Sequence, residues 1–396
     1  MNIQKIREDF PVLNKEINGK PIVYLDSACV TLKPKQVIDA LTKYYNEFPA
    51  CGGRSSHKLG KIVTEEVEKS REIIKKFINA KKTNEIIFTK NTTEGINLIL
   101  NTIELKGGEV ILTSDKEHNS LLLPIQLLKN KGITHRIFKF GDINDFRSKL
   151  DKNVKLIATA HISNLDGTIN PIEEIISLSH KNNSLVLIDA AQSISHIKID
   201  VRRMDIDFLA FSGHKIFGPS GTGVLYGKLE LLNKLKPFIF GGGTVKDCNY
   251  DNYILEDIPQ RFEAGLQDYS GIIGLGEAIK YFQEIEFDKI ESHIENLNRI
   301  ITLEFQRLGI NILGEEDYTK RKGIISFNIK GIRNKEIAEI LNQNNIFIRS
   351  GFHCVHSWFN SNKIDGSARI SLSIYNTEED CKKVIEEIKK IANLVK

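Results

Sequence analysis

The sequence predicts an open α/β sheet, mostly parallel and flanked by helices, followed by a smaller α+β unit. Three observations predict it. Short runs that are apolar throughout alternate with amphipathic stretches in the middle of the chain, as expected of strands covered on both faces. The 396 residues exceed what one core usually holds, so a second unit is expected. After Gly241-Gly242-Gly243 the texture changes, and a polar stretch running to Arg261 gives way to long helical periodicity.

The elements follow in order. Ile62, Val63, Val67, Ile74, Phe77 and Ile78 recur at helical spacing and mark an amphipathic helix ahead of the sheet. Glu85 to Thr89 reads as a buried strand, and Glu94 to Glu104 as a helix with Thr92 or Thr93 as its N-cap. Val110 to Thr113 is a strand, and Leu121 to Lys131 a helix that tolerates Pro124 in its first turn. Val154 to Ala160, Leu185 to Ile188, Ile206 to Phe211 and Val224 to Tyr226 are further strands, with a helix at Ile172 to Lys181. A helical region spans Ile272 to Leu308. A strand at Ile324 to Ile329, a helix at Lys335 to Gln343, short strands near Ile346 to Arg349 and Ala368 to Ser373, and a closing helix from Glu378 complete the chain. This divides into a large α/β domain over 16–275 and a small α+β domain formed by 1–15 and 276–396.

Composition narrows the function classes. A hydrophobic content of 41% and a charged content of 27% suit a soluble folded protein. The net charge of +4 is small for this length and argues against a dedicated nucleic-acid surface. No apolar run reaches the roughly 18 residues that span a bilayer. The segment Met1 to Phe10 carries charges of both signs and no apolar signal core, so a cytoplasmic protein without membrane contact is expected. Cys29, Cys51, Cys248, Cys354 and Cys381 are scattered and include no Cys-x-x-Cys pair, which suggests neither a disulfide framework nor a metal site.

Candidate chemistry gathers where strands end, which is where open α/β sheets bind ligands. Phe211-Ser212-Gly213-His214-Lys215 puts a lysine between a strand and the Gly218-Pro219 turn. A lysine held there can form a Schiff base with an aldehyde cofactor, pyridoxal 5'-phosphate being the obvious one. Alone it reads as a surface-loop lysine, and only its companions change that. Asp189 closes an apolar strand, where a carboxylate can keep a pyridinium nitrogen protonated through a charge-assisted hydrogen bond of about 1.5–3 kcal/mol, or simply cap a turn. Ala190 and Ala191 leave room for a flat ring, and Gln192 can donate to a ring oxygen. Thr92-Thr93-Glu94-Gly95 opens a helix, a place where anions bind, and Ser212 and His214 add donors. His118 follows the Val110 strand and can stack on a ring or act as acid or base. No Gly-x-Gly-x-x-Gly follows the first strand, which sets aside a dinucleotide fold.

With these residues go Tyr24-Leu25-Asp26-Ser27-Ala28, Glu117-His118, His161-Ile162-Ser163-Asn164, Arg261-Phe262-Glu263-Ala264-Gly265, Arg349-Ser350-Gly351-Phe352-His353-Cys354 and Arg369-Ile370-Ser371-Leu372. In this order and spacing, the chain resembles a Suf-type cysteine desulfurase of the class V aminotransferase family, over nearly its whole length. That family has the fold-type I architecture of pyridoxal-phosphate-dependent transferases. The resemblance implies that Lys215 is the Schiff-base lysine, that Asp189 pairs with the ring nitrogen and Gln192 with the ring oxygen, and that His118 stacks on the ring. It implies that Thr93, Ser212 and His214, beside Thr92, hold the phosphate. Asn164 and Arg369 would bind the carboxylate of L-cysteine, and Cys354 would take its sulfur as a persulfide while alanine leaves. His353 and His356 are neighbours that could help ionise the Cys354 thiol, whose free pKa is about 8.5. No resident metal is implied.

The resemblance further implies a homodimer and, because the loop from Cys354 to Arg369 is short, a sulfur-acceptor protein. The fold also hosts selenocysteine lyases and cysteine/cystine lyases, which need no acceptor thiol. Transaminases and kynureninase-like hydrolases do not call for Cys354, and a non-catalytic scaffold would have no reason to keep Lys215, Asp189 and Arg369 together. Two departures stand out. Leu266 follows Gly265 where the family has a threonine that reaches the cofactor phosphate across the dimer. Cys29 stands where the family has a small residue, and Cys51 precedes another stretch of active-site type, Gly52 to His57. Either these two thiols come near Cys354 as sulfur relays or metal ligands, or they are buried and inert.

Overall fold

The apolar runs of the middle of the chain become strands of one sheet. The computed structural model describes residues 2–394. Met1 and residues 395–396, the two ends of the expected small domain, lie outside the described residues. Among the described residues the largest sheet has seven strands. They are β1 (Ile86–Thr89), β2 (Val110–Ser114), β3 (Thr134–Phe138), β4 (Val154–Ala160), β5 (Leu185–Asp189), β6 (Phe208–Ser212) and β7 (Gly223–Gly227). Their spatial order is β1-β7-β6-β5-β4-β2-β3. β7 is antiparallel to both neighbours and every other pair is parallel. Every residue of β2, β6 and β7 is buried, which explains their unbroken apolar character.

β3 was not expected from the sequence. It is an edge strand on which only Phe138 is fully buried, so its polar residues Thr134, His135 and Arg136 mask the strand signal. The helix Lys58–Phe77 (α1) precedes the sheet, and Thr92–Thr102 (α2), Asn119–Leu128 (α3) and Ile172–Lys181 (α4) connect its strands. The expected cap of α2 is corrected. Asn91 accepts from the Glu94 N–H at 2.9 Å, while the Thr92 and Thr93 hydroxyls bond Ser212 and Ser120 instead. Pro124 lies beyond the first turn of α3, because that helix starts earlier than expected, at Asn119.

Three further boundaries differ. The helical region after the sheet is two helices, Tyr269–Glu284 (α5) and Phe287–Leu308 (α6), broken where Ile285 is extended. The polar stretch holds a two-stranded hairpin, Val245–Cys248 against Tyr253–Leu255, whose residues are largely exposed. A helix at Lys35–Glu47, not expected from the sequence, packs on α5.

The small sheet has the order β8 (Asn311–Ile312), β9 (Ile324–Asn328), β11 (Ser367–Ser371), β10 (Arg349–Gly351), all antiparallel. Val23–Tyr24 pairs in parallel with Ile346–Phe347, and the Ser371 N–H donates to the Leu25 carbonyl at 2.7 Å. Arg7 donates to the Tyr375 carbonyl at 2.6 Å and pairs with Asp380 at 3.0 Å. We propose the division into a large domain over 16–275 and a small one of 1–15 and 276–396, with the segment 23–28 tied to the small sheet and leading from it to the site.

Candidate active site

Strands β1, β2, β4, β5 and β6 all end on the same side of the sheet, and a cavity of about 210 Å³ opens there. Its lining includes Lys215, Cys354, His118, Asp189, Gln192, Thr92, Thr93, Ser212, His214, Asn164 and Arg369. These are all the site residues expected from the sequence, drawn from segments nearly 280 positions apart.

Asp189 sits at the end of β5, in register with Ala160 on β4 and Ala210 on β6. Those small neighbours leave open space beside the carboxylate. Asp189 Oδ1 accepts from the Ala191 N–H at 2.8 Å. Burial pushes its carboxyl up to about 6, against that bond and the nearby Lys215. Gln192 donates from Nε2 to the Ala28 carbonyl at 2.9 Å. Lys215 Nζ donates to the same carbonyl. Burial, reinforced by Arg369, lowers the Lys215 amine to about 8, while Cys29, Asp189 and Asp26 oppose the shift. The turn that carries the lysine is tightly packed: a Cβ on Gly213 would lie 2.2 Å from Thr222 Oγ1.

At the other end of the cavity is the N-terminus of α2. Ser212 Oγ accepts from the Thr92 N–H at 2.8 Å and lies 2.7 Å from Thr92 Oγ1. Thr93 Oγ1 is 2.7 Å from Ser120 Oγ, which joins the starts of α2 and α3. His118 caps α3: its Nδ1 accepts from the Ser120 N–H at 3.0 Å, which leaves the ring proton on Nε2. Burial, with Lys215, Arg369 and His356 nearby, lowers His118 to about 4, so the ring is neutral near pH 7. Burial likewise lowers His214 to about 4, with Lys215 and Lys33 adding to it.

A web of arginines forms the third side. Arg369 pairs with Asp26 at 3.3 Å and donates from Nη1 to the Asn164 carbonyl at 2.9 Å. Asn164 Nδ2 donates to the His353 carbonyl at 2.6 Å. Arg349 lies 3.8 Å from Asp26 and donates to Cys29 Sγ at 2.8 Å. Cys354 follows on a loop where His353 and Cys354 both have left-handed backbone, at φ 48° and 60°. The Asn119 N–H at the start of α3 donates to the Cys354 carbonyl at 2.8 Å.

Several expectations are corrected here. His353 lines the cavity; burial, with Arg369 and Arg349, pushes its imidazole down to about 2, and its Nε2 faces the Ser367 hydroxyl at 2.9 Å. His356 bonds Asn119 and stacks on Phe352, outside the cavity lining. Cys29 lines the cavity, but Cys51 does not; its thiol lies 3.7 Å from Tyr269 Oη. Among the described residues no group of three or more His, Cys, Asp or Glu side chains could hold a metal ion, so the metal-ligand role for Cys29 and Cys51 has no support.

Sequence reasoning gave no role to Asp26 or Glu117. Asp26 is shared by the two arginines. Glu117 is fully buried beside His118, accepting from Ser114 and Thr159 hydroxyls at 2.5 Å and from the Ala160 N–H at 2.9 Å. Burial raises its carboxyl to about 7. Both stood in the motif stretches, which was the available signal.

A family profile described as aminotransferase class-V matches residues 23–384. The chain belongs to the class-V aminotransferase family. Within it, the chain is 38% identical over 390 residues to a probable cysteine desulfurase of Halalkalibacterium halodurans, covering 96% of this chain and 95% of that one. It is 39% identical over 406 residues to the cysteine desulfurase of Wigglesworthia glossinidia brevipalpis, covering 100% and 98%. The apo structure of the cysteine desulfurase from Thermococcus onnurineus NA1 superposes with a TM-score of 0.94 at 34% identity, covering 98% of both chains. The fold is therefore fold-type I.

Pyridoxal phosphate is the cofactor of this class-V chain, and the residues present fit it. A buried carboxylate, hydroxyls at a helix N-terminus and a buried lysine amine line one cavity and match a ring nitrogen, a phosphate and an aldehyde. Arg369 adds a guanidinium, its Nε buried and without a partner.

Proposed function

We propose that the protein is a pyridoxal-phosphate-dependent L-cysteine desulfurase that moves the sulfur of L-cysteine onto Cys354 and releases L-alanine. The observation that carries this reading is that Lys215 and Cys354 line one cavity with Arg369. Asp189 would hold the ring nitrogen, Gln192 the ring oxygen, His118 the ring face, and Thr92, Thr93, Ser212 and His214 the phosphate. When bound, the cofactor draws electrons from the substrate's α carbon.

The chain's own residues do the rest. Arg369 and Asn164 bind and orient the substrate carboxylate, and Asp26 fixes the Arg369 fork. Lys215, lowered to about 8, is partly neutral near pH 7 and moves a proton at Nζ. His118 stays neutral and presents Nε2–H. The Cys354 thiolate attacks the substrate sulfur. A sulfur–sulfur bond forms as the carbon–sulfur bond breaks, and the electron pair stays on carbon, which takes up a proton to give alanine.

The test is to incubate the cofactor-loaded protein with L-cysteine and measure alanine and protein-bound persulfide together. Equal, burst-like amounts of both are expected, and Cys354→Ala loses both. A selenocysteine or cystine lyase of this fold needs no acceptor thiol. Cleavage of L-selenocysteine to alanine that survives in Cys354→Ala, while the parent protein forms no persulfide from L-cysteine, would decide for a selenocysteine lyase.

The protein acts as a homodimer. Phe238, Ile239, Phe240, Tyr253, Ile254 and Leu266 are exposed in the single chain, Leu266 at 74%, an apolar patch that a second copy would cover. Sedimentation equilibrium tests it. A sulfur-acceptor protein comes to Cys354, in keeping with a Suf-type branch. The loop behind the cysteine is largely the helix His356–Asn362 and is pinned by Asn119, so Cys354 does not travel far. The protein works in the cytoplasm, where free cysteines such as its own stay reduced. Among the described residues no helix is long and apolar enough to cross a membrane.

A further inference from the structure

We propose that Cys29 is a second sulfur-holding site: it takes the outer sulfur of a Cys354 persulfide and keeps it beside Arg349. The inference rests on the desulfurase reading. Cys29 and Cys354 line the same cavity. Cys29 is partly buried and its thiol is free. It is not an isolated thiol, because Arg349 Nη1 donates to its sulfur at 2.8 Å. Arg349 starts β10, the strand that leads into the Cys354 loop. Arg369, 2% exposed and lining the same cavity, leaves its Nε without a partner. A persulfide is a stronger acid than a thiol and is largely an anion near neutrality. A pocket with two guanidiniums therefore favours it over a neutral thiol.

The transfer balances without an oxidant. The Cys29 thiolate attacks the outer sulfur of the Cys354 persulfide. The Cys354 sulfur–sulfur bond breaks, a new one forms on Cys29, and the Cys29 proton ends on the Cys354 thiolate. The transferred sulfur keeps its oxidation state. Cys354, held in place by Asn119, is then free for a second substrate before any acceptor arrives.

The experiment uses the cofactor-loaded protein, isotopically labelled L-cysteine and no reductant or acceptor. Alanine is quantified, and persulfides are trapped by alkylation and mapped by peptide mass spectrometry. Labelled sulfur is expected on both Cys354 and Cys29. The alanine burst is expected to be about twofold that of Cys29→Ser, since each sulfur held corresponds to one alanine released. Cys29→Ala, equally unable to hold sulfur, should match Cys29→Ser, and the cofactor absorbance of both variants reports that the cavity is intact. In Cys354→Ser, Cys29 should carry no label.

Three results would overturn the proposal. Label confined to Cys354 with alanine formed is one. A Cys29–Cys354 disulfide with released hydrosulfide is another, because it places the attack on the inner sulfur. Label on Cys29 in Cys354→Ser is the third, because the sulfur then comes straight from substrate. If the parent protein forms no alanine, the desulfurase reading itself falls, which is distinct from all three.

Discussion

The backbone N–H of Asn119 donates to the carbonyl oxygen of Cys354 at 2.8 Å, joining the helix that carries His118 to the loop that carries the thiol. Asn119 is the first residue of its helix, and His118 before it is extended, at φ −64° and ψ 148°. Proline suits a first helical position after an extended residue, yet has no N–H. Asn119→Pro therefore removes this bond while keeping the helix, and Asn119→Ala, which loses only the side-chain bond to His356, is the reference against which it is read. Persulfide formation should fall about 3–10-fold, the worth of one hydrogen bond, with little change in Tm. Single-turnover persulfide assays beside thermal melts check it. An unchanged rate would mean that the loop is held by its other contacts.

Lys215 makes the cofactor-free protein more stable as pH rises into the alkaline range. Its amine is lowered from 10.5 to about 8 by burial. Between those values the unfolded chain binds the extra proton, so stability rises with pH from about 8 to 10.5. Below about 8 the full cost of a buried ammonium applies. Lys215→Met should raise the Tm of the cofactor-free protein at pH 7, and the gain should shrink towards pH 10. A gain that is constant with pH would sink this account.

Acid should unfold the protein early. His118, His161, His196 and His214 are each lowered from 6.5 to about 4, chiefly by burial. As pH falls from 6.5 the unfolded chain takes up protons that the folded chain refuses until about 4. Stability is lost across that window. Urea midpoints measured from pH 7 to 4 should fall steeply, and His196→Gln should flatten the slope.

Asp26→Asn should weaken substrate binding more than turnover. The carboxylate lies 3.3 Å from Arg369 and 3.8 Å from Arg349, so its loss frees the fork proposed to meet the substrate carboxylate. A rise in KM on the order of tenfold, with a smaller fall in kcat, is expected from losing one charge-assisted bond. Steady-state alanine formation separates the two constants.

Glu263→Gln should destabilise the fold by about 3–5 kcal/mol, because it leaves the buried Arg71 guanidinium with only the half-exposed Glu68, at 3.3 Å, as counter-ion. Arg71 and Glu263 form a bidentate pair at 2.7 and 3.0 Å, and the Phe88 N–H donates to the same carboxylate at 2.7 Å. The pair ties the segment before Leu266 to the edge strand β1. Chemical denaturation of the two proteins gives the difference directly.

The central strands were legible because each is buried on both faces and so is written in apolar residues alone. The edge strand β3 was not, since a strand with one neighbour and exposed residues carries no such signature. The helix break at Ile285 was equally hidden, because its apolar side chain continues the helical pattern while only the backbone turns extended. Among site residues, Lys215, Asp189 and Thr92 could be found from their places at strand ends and a helix start. The roles of Asp26 and Glu117 could not, because their partners are Arg349 and Arg369 in one case and Thr159 and Ala160 in the other, all remote in sequence.

The sequence by itself determined the order of the buried strands, the candidate lysine and cysteine, and the family, since these depend on local periodicity and on residue types at fixed spacings. Only the tertiary structure decided which side chains share the cavity. It set His353 against Ser367, left Cys51 outside the cavity, and set Cys29 against Arg349. Burial and contact with distant charges shift an ionisable group, and both depend on how segments far apart in the chain meet in space.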